Sequence, residues 1–245
     1  MSKKAVISMS GGLDSTCLAL SLLADGYEVK AYSFLYGQKH LIELSKLELN
    51  IKYLRDKGLP ITMKIIDLRD VFNESTASLC GDGKNGEIPK ADYDKESMKS
   101  TVIENRNVIF SSIIYSKALS WSKREDSNVE ITLGIHGGDH ALYPDCTEES
   151  QKAAEHLFKI SNWGSEKVDY KAPFVNLTKA KVLNVGYESM KKLGFSEEDI
   201  NKVLMNTHSC YDPDDDVRSC GVCGTCKERL EAFKLNGLVD PIEYR

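Results

Sequence analysis

Met9-Ser10-Gly11-Gly12-Leu13-Asp14-Ser15-Thr16 lies between a short apolar run, Ala5-Val6-Ile7, and a segment whose Leu18, Leu22 and Leu23 keep helical spacing. The stretch reads as strand, glycine loop, helix. Glycines at 11 and 12 let the backbone turn tightly and aim successive N–H groups outward, and the following helix adds its positive end. Such a loop cradles phosphate. Ser10, Ser15 and Thr16 supply hydroxyl donors, and Asp14 is placed to orient the loop or to hold Mg²⁺. Residues 9–16, from Met9 through Leu13 to Thr16, are therefore the expected nucleotide-binding segment. No lysine follows the glycines of this stretch, and the stretch lacks Gly-x-Gly-x-x-Gly, so it is neither of the two commonest glycine-rich nucleotide loops.

Outward from the loop, β-formers fill residues 27–35, and Leu41, Leu44, Leu47, Ile51 and Leu54 recur at helical spacing up to Gly58-Leu59-Pro60. Residues 61–68 supply a third strand. Strand, helix, strand, helix, strand predicts right-handed crossovers and a Rossmann-like, mostly parallel α/β sheet of five strands with helices on both faces. Residues 74–100 interrupt this rhythm with a polar stretch that reads as a lid-like insertion or a solvated surface excursion. A long helix then follows Asn105-Arg106-Asn107.

The fourth strand, expected over 129–135, runs into His136-Gly137-Gly138-Asp139-His140, and Tyr143-Pro144-Asp145-Cys146 comes soon after. Open α/β sheets gather ligand groups beyond the strand ends, so this stretch should face the phosphate loop. Cys146 fits pocket lining better than a nucleophile, and His136, His140 and His208 fit hydrogen-bonding roles. A helix is expected over 147–162 and a last strand over 170–174. Thr178 then caps another helix, whose first turn offers Lys179 to phosphate.

Cys210, Cys220, Cys223 and Cys226 form a second motif. Two successive Cys-x-x-Cys steps turn thiolates toward one centre, with Gly221 and Gly224 giving tight turns, and Cys210 closes a tetrahedron. Four sulfur ligands leave no open position on Zn²⁺, which makes the expected role structural; an iron–sulfur cluster is the alternative metal. Of the other cysteines, Cys17 reads as helix core and Cys80 as part of the polar loop. Residues 1–205 form the expected α/β domain, and 206–245 a zinc-binding segment packed on it.

The 245 residues are 41% hydrophobic and 28% charged, enough to bury a core, with no apolar run near the ~20 residues of a membrane span. Two lysines followed by three apolar residues do not make a secretory signal, so a cytoplasmic protein is expected. Lys and Arg total 32 against 37 Asp and Glu, a net charge of −5 that gives no overall attraction to nucleic acid or anionic lipid.

Ser-Gly-Gly-x-Asp-Ser resembles the pyrophosphate loop of the N-type ATP pyrophosphatases, which transfer AMP to a substrate oxygen. With the remaining motifs the chain resembles the 7-cyano-7-deazaguanine synthase family, QueC, over almost its full length. The matching residues come in order: the glycine loop, Tyr36-Gly37-Gln38-Lys39-His40, Arg106-Asn107, Gly134, Asp139 and Tyr143-Pro144-Asp145-Cys146. Ala172-Pro173, Lys179-Ala180, Cys210-Tyr211 and the last three cysteines complete the set. Two departures stand out. Val102-Ile103-Glu104-Asn105-Arg106-Asn107 replaces the family's Val-Pro-Gly-Arg-Asn or Val-Pro-Asn-Arg-Asn. Asp139-His140-Ala141-Leu142 precedes Tyr143 where many members have a Ser-Gly, and Thr147-Glu148-Glu149-Ser150 lacks a phenylalanine usual after the cysteine.

The resemblance implies a ligase that converts 7-carboxy-7-deazaguanine, ammonia and ATP to the nitrile through an acyl adenylate and an amide. It implies that Asp14, Ser15 and Lys179 serve catalysis beside the loop, with Mg²⁺ on the phosphates. Arg106, Asn107, Asp139, Tyr143, Asp145 and Cys146 would then shape the base pocket. A homodimer is expected on the same ground. Three alternatives stay open: a QueC-like defence protein that passes a deazaguanine to a protein acceptor, using Glu104 and the long loop; a tRNA thiolation enzyme; and a non-catalytic ATP-binding zinc module.

Overall fold

The computed structural model describes residues 3–39, 41–80, 99–136, 143–214 and 216–245. Its first strand, β1 (Lys3–Ser8), carries Ala5, Val6 and Ile7 with no solvent exposure on either face. A strand buried on both faces belongs at the centre of a helix-covered sheet. It pairs with β2 (Tyr27–Leu35) on one side and β4 (Val129–Thr132) on the other, while β3 (Ile61–Asp67) and β5 (Val168–Lys171) lie outermost. The order is β3-β2-β1-β4-β5, and every pairing is parallel. The predicted five-stranded α/β class is thus observed.

One core joins Ala5 and Ile7 of β1 to Leu18 of α1 (Leu13–Ala24) and Leu47 of α2 (Ile42–Asp56). It continues through Val182 of α5 (Lys179–Lys192) and Val203 of α6 (Glu197–Met205) to Phe233 of α7 (Gly224–Leu235). Val6 faces the opposite core, with Ile114 and Trp121 of α3 (Arg106–Glu125) and Phe158 of α4 (Glu148–Ser161). The strand order reverses between β1 and β4, so a crevice opens beyond their carboxyl ends. Helices α1 and α5 come together there because position 186 is glycine: a Cβ on Gly186 would stand 2.3 Å from Cys17 Sγ. That approach brings the starts of both helices to the crevice.

Arg229 fastens the C-terminal segment. Fully buried, it donates to both carboxylate oxygens of Asp240 at 2.7 and 2.9 Å and to Thr207 Oγ1 at 2.7 Å. The His208 N–H donates to the Gly11 carbonyl at 3.0 Å, which joins this segment to the glycine loop.

Several expectations shift. Strand β4 ends at Thr132 rather than 135, because Gly134 must cross the first turn of α1; a Cβ there would lie 3.2 Å from Ser15 Cα. The last strand starts at Val168 and ends before Ala172, since Pro173 brings no N–H to a ladder and biases its neighbour. Gly224 opens α7 instead of making a turn, whereas Gly221 does take a positive φ of 72°. Cys80 is not a polar-loop residue: it is buried and bridged to Gln38, and Ala77 and Leu79 are buried beside it. Residues 77–80 are therefore buried, and of the insertion expected over 74–100, residues 81–98 lie outside the described residues.

Candidate active site

The glycine loop is built as a donor cluster. Gly11 holds φ at +92°, and a Cβ on it would come within 2.5 Å of the Glu43 carbonyl oxygen, so only glycine lets α2 pack this closely. Gly12 N–H donates to Ser10 Oγ at 3.1 Å, and Ser10 N–H to Ser15 Oγ at 3.3 Å. No side chain caps α1, which leaves the N–H groups of its first turn for an anion.

Met9, Ser10, Gly12, Asp14 and Ser15 line a cavity of about 380 Å³. The other three expected loop residues stand behind it. Leu13 is buried in the core, and Gly11 is spent on packing against α2. Thr16 directs both its N–H (3.2 Å) and its hydroxyl (2.8 Å) to the Gly12 carbonyl and does not line the cavity.

Lys179, first residue of α5, reaches across to Asp14 with Nζ 2.6 Å from Oδ2, and His136 Nε2 lies 3.4 Å from the same oxygen. Thr178 caps α5 through the Lys181 N–H, as its position predicts. Burial by itself would raise the Asp14 carboxyl, but Lys179 and His136 overcome it and hold the group well below the ordinary carboxylate range. Asp14 Oδ1 and His136 Nδ1 are buried and have no hydrogen-bond partner among the described residues. A carboxylate oxygen left bare in a cavity beside an open helix end suits a cation carried with phosphate.

The other end of the cavity is flat and aromatic. Phe34 stacks on Phe110 with centroids 3.9 Å apart, and Tyr36 leans on Phe110 at 5.5 Å. Arg106 stands 5.7 Å from the Tyr36 ring centroid and donates through Nε to Asn107 Oδ1 at 3.3 Å. Asn107 in turn donates to Asp145 Oδ2 at 2.7 Å, and Gln151 holds the Asp145 carbonyl at 2.6 Å. Tyr143 lies 3.4 Å from Thr101 across its hydroxyl. Cys146 is half-buried, and burial together with Asp145 pushes its thiol up to about 12. A thiol held toward its neutral form suits pocket lining better than nucleophilic attack. Arg106, Asn107, Tyr143, Asp145 and Cys146 all line the same cavity as the loop, whereas Asp139 and His140 lie outside the described residues.

The departure before Arg106 has a local explanation. Asn105 takes a left-handed φ of 55°, the conformation that Gly or Asn tolerates best. Glu104 accepts from Ser75 Oγ (2.6 Å), Thr76 Oγ1 (2.8 Å) and Thr76 N–H (3.2 Å). A hydrogen-bonded clasp thus fixes the turn that proline stiffens in the family, and Glu104 is engaged rather than available to a partner's chain end.

Sequence reading passed over Glu43 and Glu228. Both line the cavity, one from the first turn of α2 and one from α7. Glu43 follows the Tyr36-to-His40 motif by three residues, and that proximity was the available signal. Glu228 follows Cys226 by two, inside a stretch read only for metal.

The four cysteines of the second motif place their sulfurs within 4.8 Å of one another. Tetrahedral Zn–S bonds of ~2.3 Å need sulfurs about 3.8 Å apart, so the cluster fits a metal of that geometry. Backbone N–H groups of Cys220 and Asp212 donate to Cys210 Sγ at 3.2 and 3.3 Å, as thiolate sulfur favours. His208 Nε2 donates to the Cys210 carbonyl at 2.9 Å, in the hydrogen-bonding role expected of it.

A parallel sheet with an uncapped glycine loop at its switch point, facing a lysine–aspartate pair, defines an α/β protein of the ATP-pyrophosphatase class. Within that class, the family model described as queuosine biosynthesis protein QueC matches residues 4–237, and the chain belongs to this family. The 7-cyano-7-deazaguanine synthase of Marinomonas sp. (strain MWYL1) is 37% identical over 245 residues, covering 100% of this chain and 99% of its own. That of Archaeoglobus fulgidus is 38% identical, covering 98% and 89%. A 4-thiouridine synthetase, solved with RNA and ATP, superposes with a TM-score of 0.43 at 13% identity, covering 95% of this chain and 50% of that one.

Proposed function

We propose that this protein is an ATP-dependent, AMP-forming ligase that converts 7-carboxy-7-deazaguanine and ammonia to 7-cyano-7-deazaguanine. The observation that carries the reading is the single cavity, which joins a phosphate cradle to a flat aromatic pocket with polar edges. A carboxylate repels nucleophiles and has no usable leaving group. Transfer of AMP to its oxygen creates one, ammonia displaces it to give an amide, and a second activation of the amide oxygen followed by loss of AMP leaves the nitrile.

Ser10, Gly12 and Ser15 hold the pyrophosphate portion, and Lys179 turns from Asp14 to the developing charge. Asp14 Oδ1 is the atom that would hold Mg²⁺, which supplies further positive charge on the phosphates. Arg106, Asn107 and Asp145 line the pocket edge that meets the base, with Tyr143 and Cys146 beside them; Asp139 completes the set proposed from sequence. Residues 206–245 form a zinc-organised segment of the same domain, and Cys210, Cys220, Cys223 and Cys226 are its ligands. The net charge of −5 favours a small-molecule substrate over tRNA, and no described helix is long and apolar enough to cross a membrane. A cytoplasmic homodimer completes the proposal.

The test supplies ATP, Mg²⁺, ammonium and 7-carboxy-7-deazaguanine and follows AMP and the base by mass spectrometry. Nitrile with two AMP per base is the expected result, and absence of AMP with the acid would overturn it. Metal analysis of the purified protein should find one zinc per chain. Cys223→Ser should lose it and lower the melting temperature, since a structural zinc site contributes folding energy outright.

A further inference from the structure

Glu43 sits where the two ends of the cavity meet. Its backbone carbonyl packs on Gly11 of the phosphate loop, and its side chain lines the cavity. The charged and titratable groups facing it are Arg106 from α3, Tyr36 from just beyond β2 and Tyr211 from the cysteine segment. Among the described residues no donor bonds its carboxyl group, in contrast to Asp14 and Asp145 in the same cavity. A half-buried carboxylate that the fold neither pairs nor caps, lining the cavity beside the phosphate loop, is open to a partner that arrives with substrate.

We propose that Glu43 binds the nitrogen donor as ammonium and takes its proton, delivering neutral ammonia to the adenylated carboxyl carbon. The inference rests on the synthase reading above. Ammonium has no lone pair and cannot attack. One N–H bond breaks, its electron pair stays on nitrogen, and the proton goes to a Glu43 oxygen. The freed pair forms the C–N bond, the C–O bond to the phosphate breaks with its electrons leaving on AMP, and the surplus proton on the new amide nitrogen departs on an AMP phosphate oxygen. Glu43 then returns its proton to water.

Two physical features suit the group to this step. Burial raises the Glu43 carboxyl to about 7, with Arg106 only partly opposing the rise, so near neutral pH it exists in both forms, as a base must. The nearby Arg106 guanidinium disfavours a second cation beside it, which eases loss of a proton from bound ammonium.

The experiment compares ammonium with hydroxylamine, a nucleophile already neutral at pH 7, in the wild-type protein and in Glu43→Gln. AMP release by the wild type is measured first; its absence overturns the synthase reading, and this inference with it. Given that release, Glu43→Gln should retain acid-dependent ATP–pyrophosphate exchange and lose about 10²-fold or more in kcat/KM for ammonium at pH 7. Its ammonium rate should climb tenfold per pH unit, tracking free ammonia, while its hydroxylamine rate stays near wild type. Equal losses with both nucleophiles, or loss of the exchange reaction, would overturn the proposal and place Glu43 in adenylation. Should Glu43→Gln fail to fold, the wild type decides: a break near pH 7 with ammonium that vanishes with hydroxylamine supports the proposal, and the same break with both refutes it.

Discussion

Asp14 and Glu43 line one cavity from neighbouring elements, and the fold treats their carboxyl groups in opposite ways. Asp14 is given a lysine at 2.6 Å and a histidine at 3.4 Å, and stays charged although burial opposes it. Glu43 is given a cavity wall and a more distant guanidinium, and burial prevails. A cation in contact outweighs desolvation, whereas one set back does not. One end of the cavity is thereby fixed in charge, as phosphate handling requires, and the other end is free to exchange a proton.

The largest test strikes the fixed end. Asp14→Asn should lower AMP release by about 10²-fold or more, the scale of a lost electrostatic contact in a dry site. Lys179→Met should cost a comparable factor. Since the two side chains meet, their effects should not add: the double variant should fall little below the worse single one. Additive losses, measured by single-turnover AMP formation, would show that the pair is not a unit.

The second test uses stability, where the two carboxyls have opposite signs. Asp14 is depressed in the folded state, so its contribution is present above the unfolded pKa of 3.8 and is lost as pH falls. Glu43 is raised from 4.5 to about 7, so between those values the native state binds the extra proton and stability falls as pH rises. Glu43→Gln should therefore leave stability near wild type at pH 4.5 and raise it at pH 8. The expected gain is on the order of 2–3 kcal/mol, from the usual 1.36 kcal/mol per pKa unit. Urea unfolding at the two pH values measures it, and a variant no more stable at pH 8 would show that burial at this site is not costly. A gain in stability joined to a loss of ammonium use is the pattern of a residue kept for function.

The contrast also marks what the sequence makes legible. Strand, loop and helix around residues 9–16 follow from local chemistry, as do the four cysteines, whose spacing alone brings their sulfurs together. The Lys179–Asp14 contact joins residues far apart in the chain; only the possibility that each meets phosphate was readable. Glu43 offered only its nearness to the Tyr36-to-His40 motif, since Leu41-Ile42-Glu43 by itself does not distinguish it from a solvated helix charge. Its character comes from Gly11, Arg106 and Tyr211 closing around it. Helix α6 was legible in principle, since Ser196-Glu197-Glu198-Asp199 spells a capping box and forms one. Thr16 shows what a motif leaves unsaid: its hydroxyl is turned back into its own helix.

Glu104 provides the smallest effect and a control for the other two. Its carboxyl is held down to about 2 chiefly by the Ser75 hydroxyl, with Thr76 adding donors, and not by a cation in contact. It is exposed and does not line the cavity, so water competes for the same bonds and discounts their worth. Glu104→Ala should cost at most about 1 kcal/mol at pH 7, and the difference should shrink as pH falls from 4.5 toward 2, where the wild-type carboxyl is protonated and its advantage disappears. AMP release should stay within about twofold of wild type, because nothing in the reaction meets this side chain. A loss as large as that of Asp14→Asn would mean that the clasp sets the Arg106 backbone for catalysis, extending the fixed-charge end of the cavity into the turn that Asn105 makes in left-handed geometry.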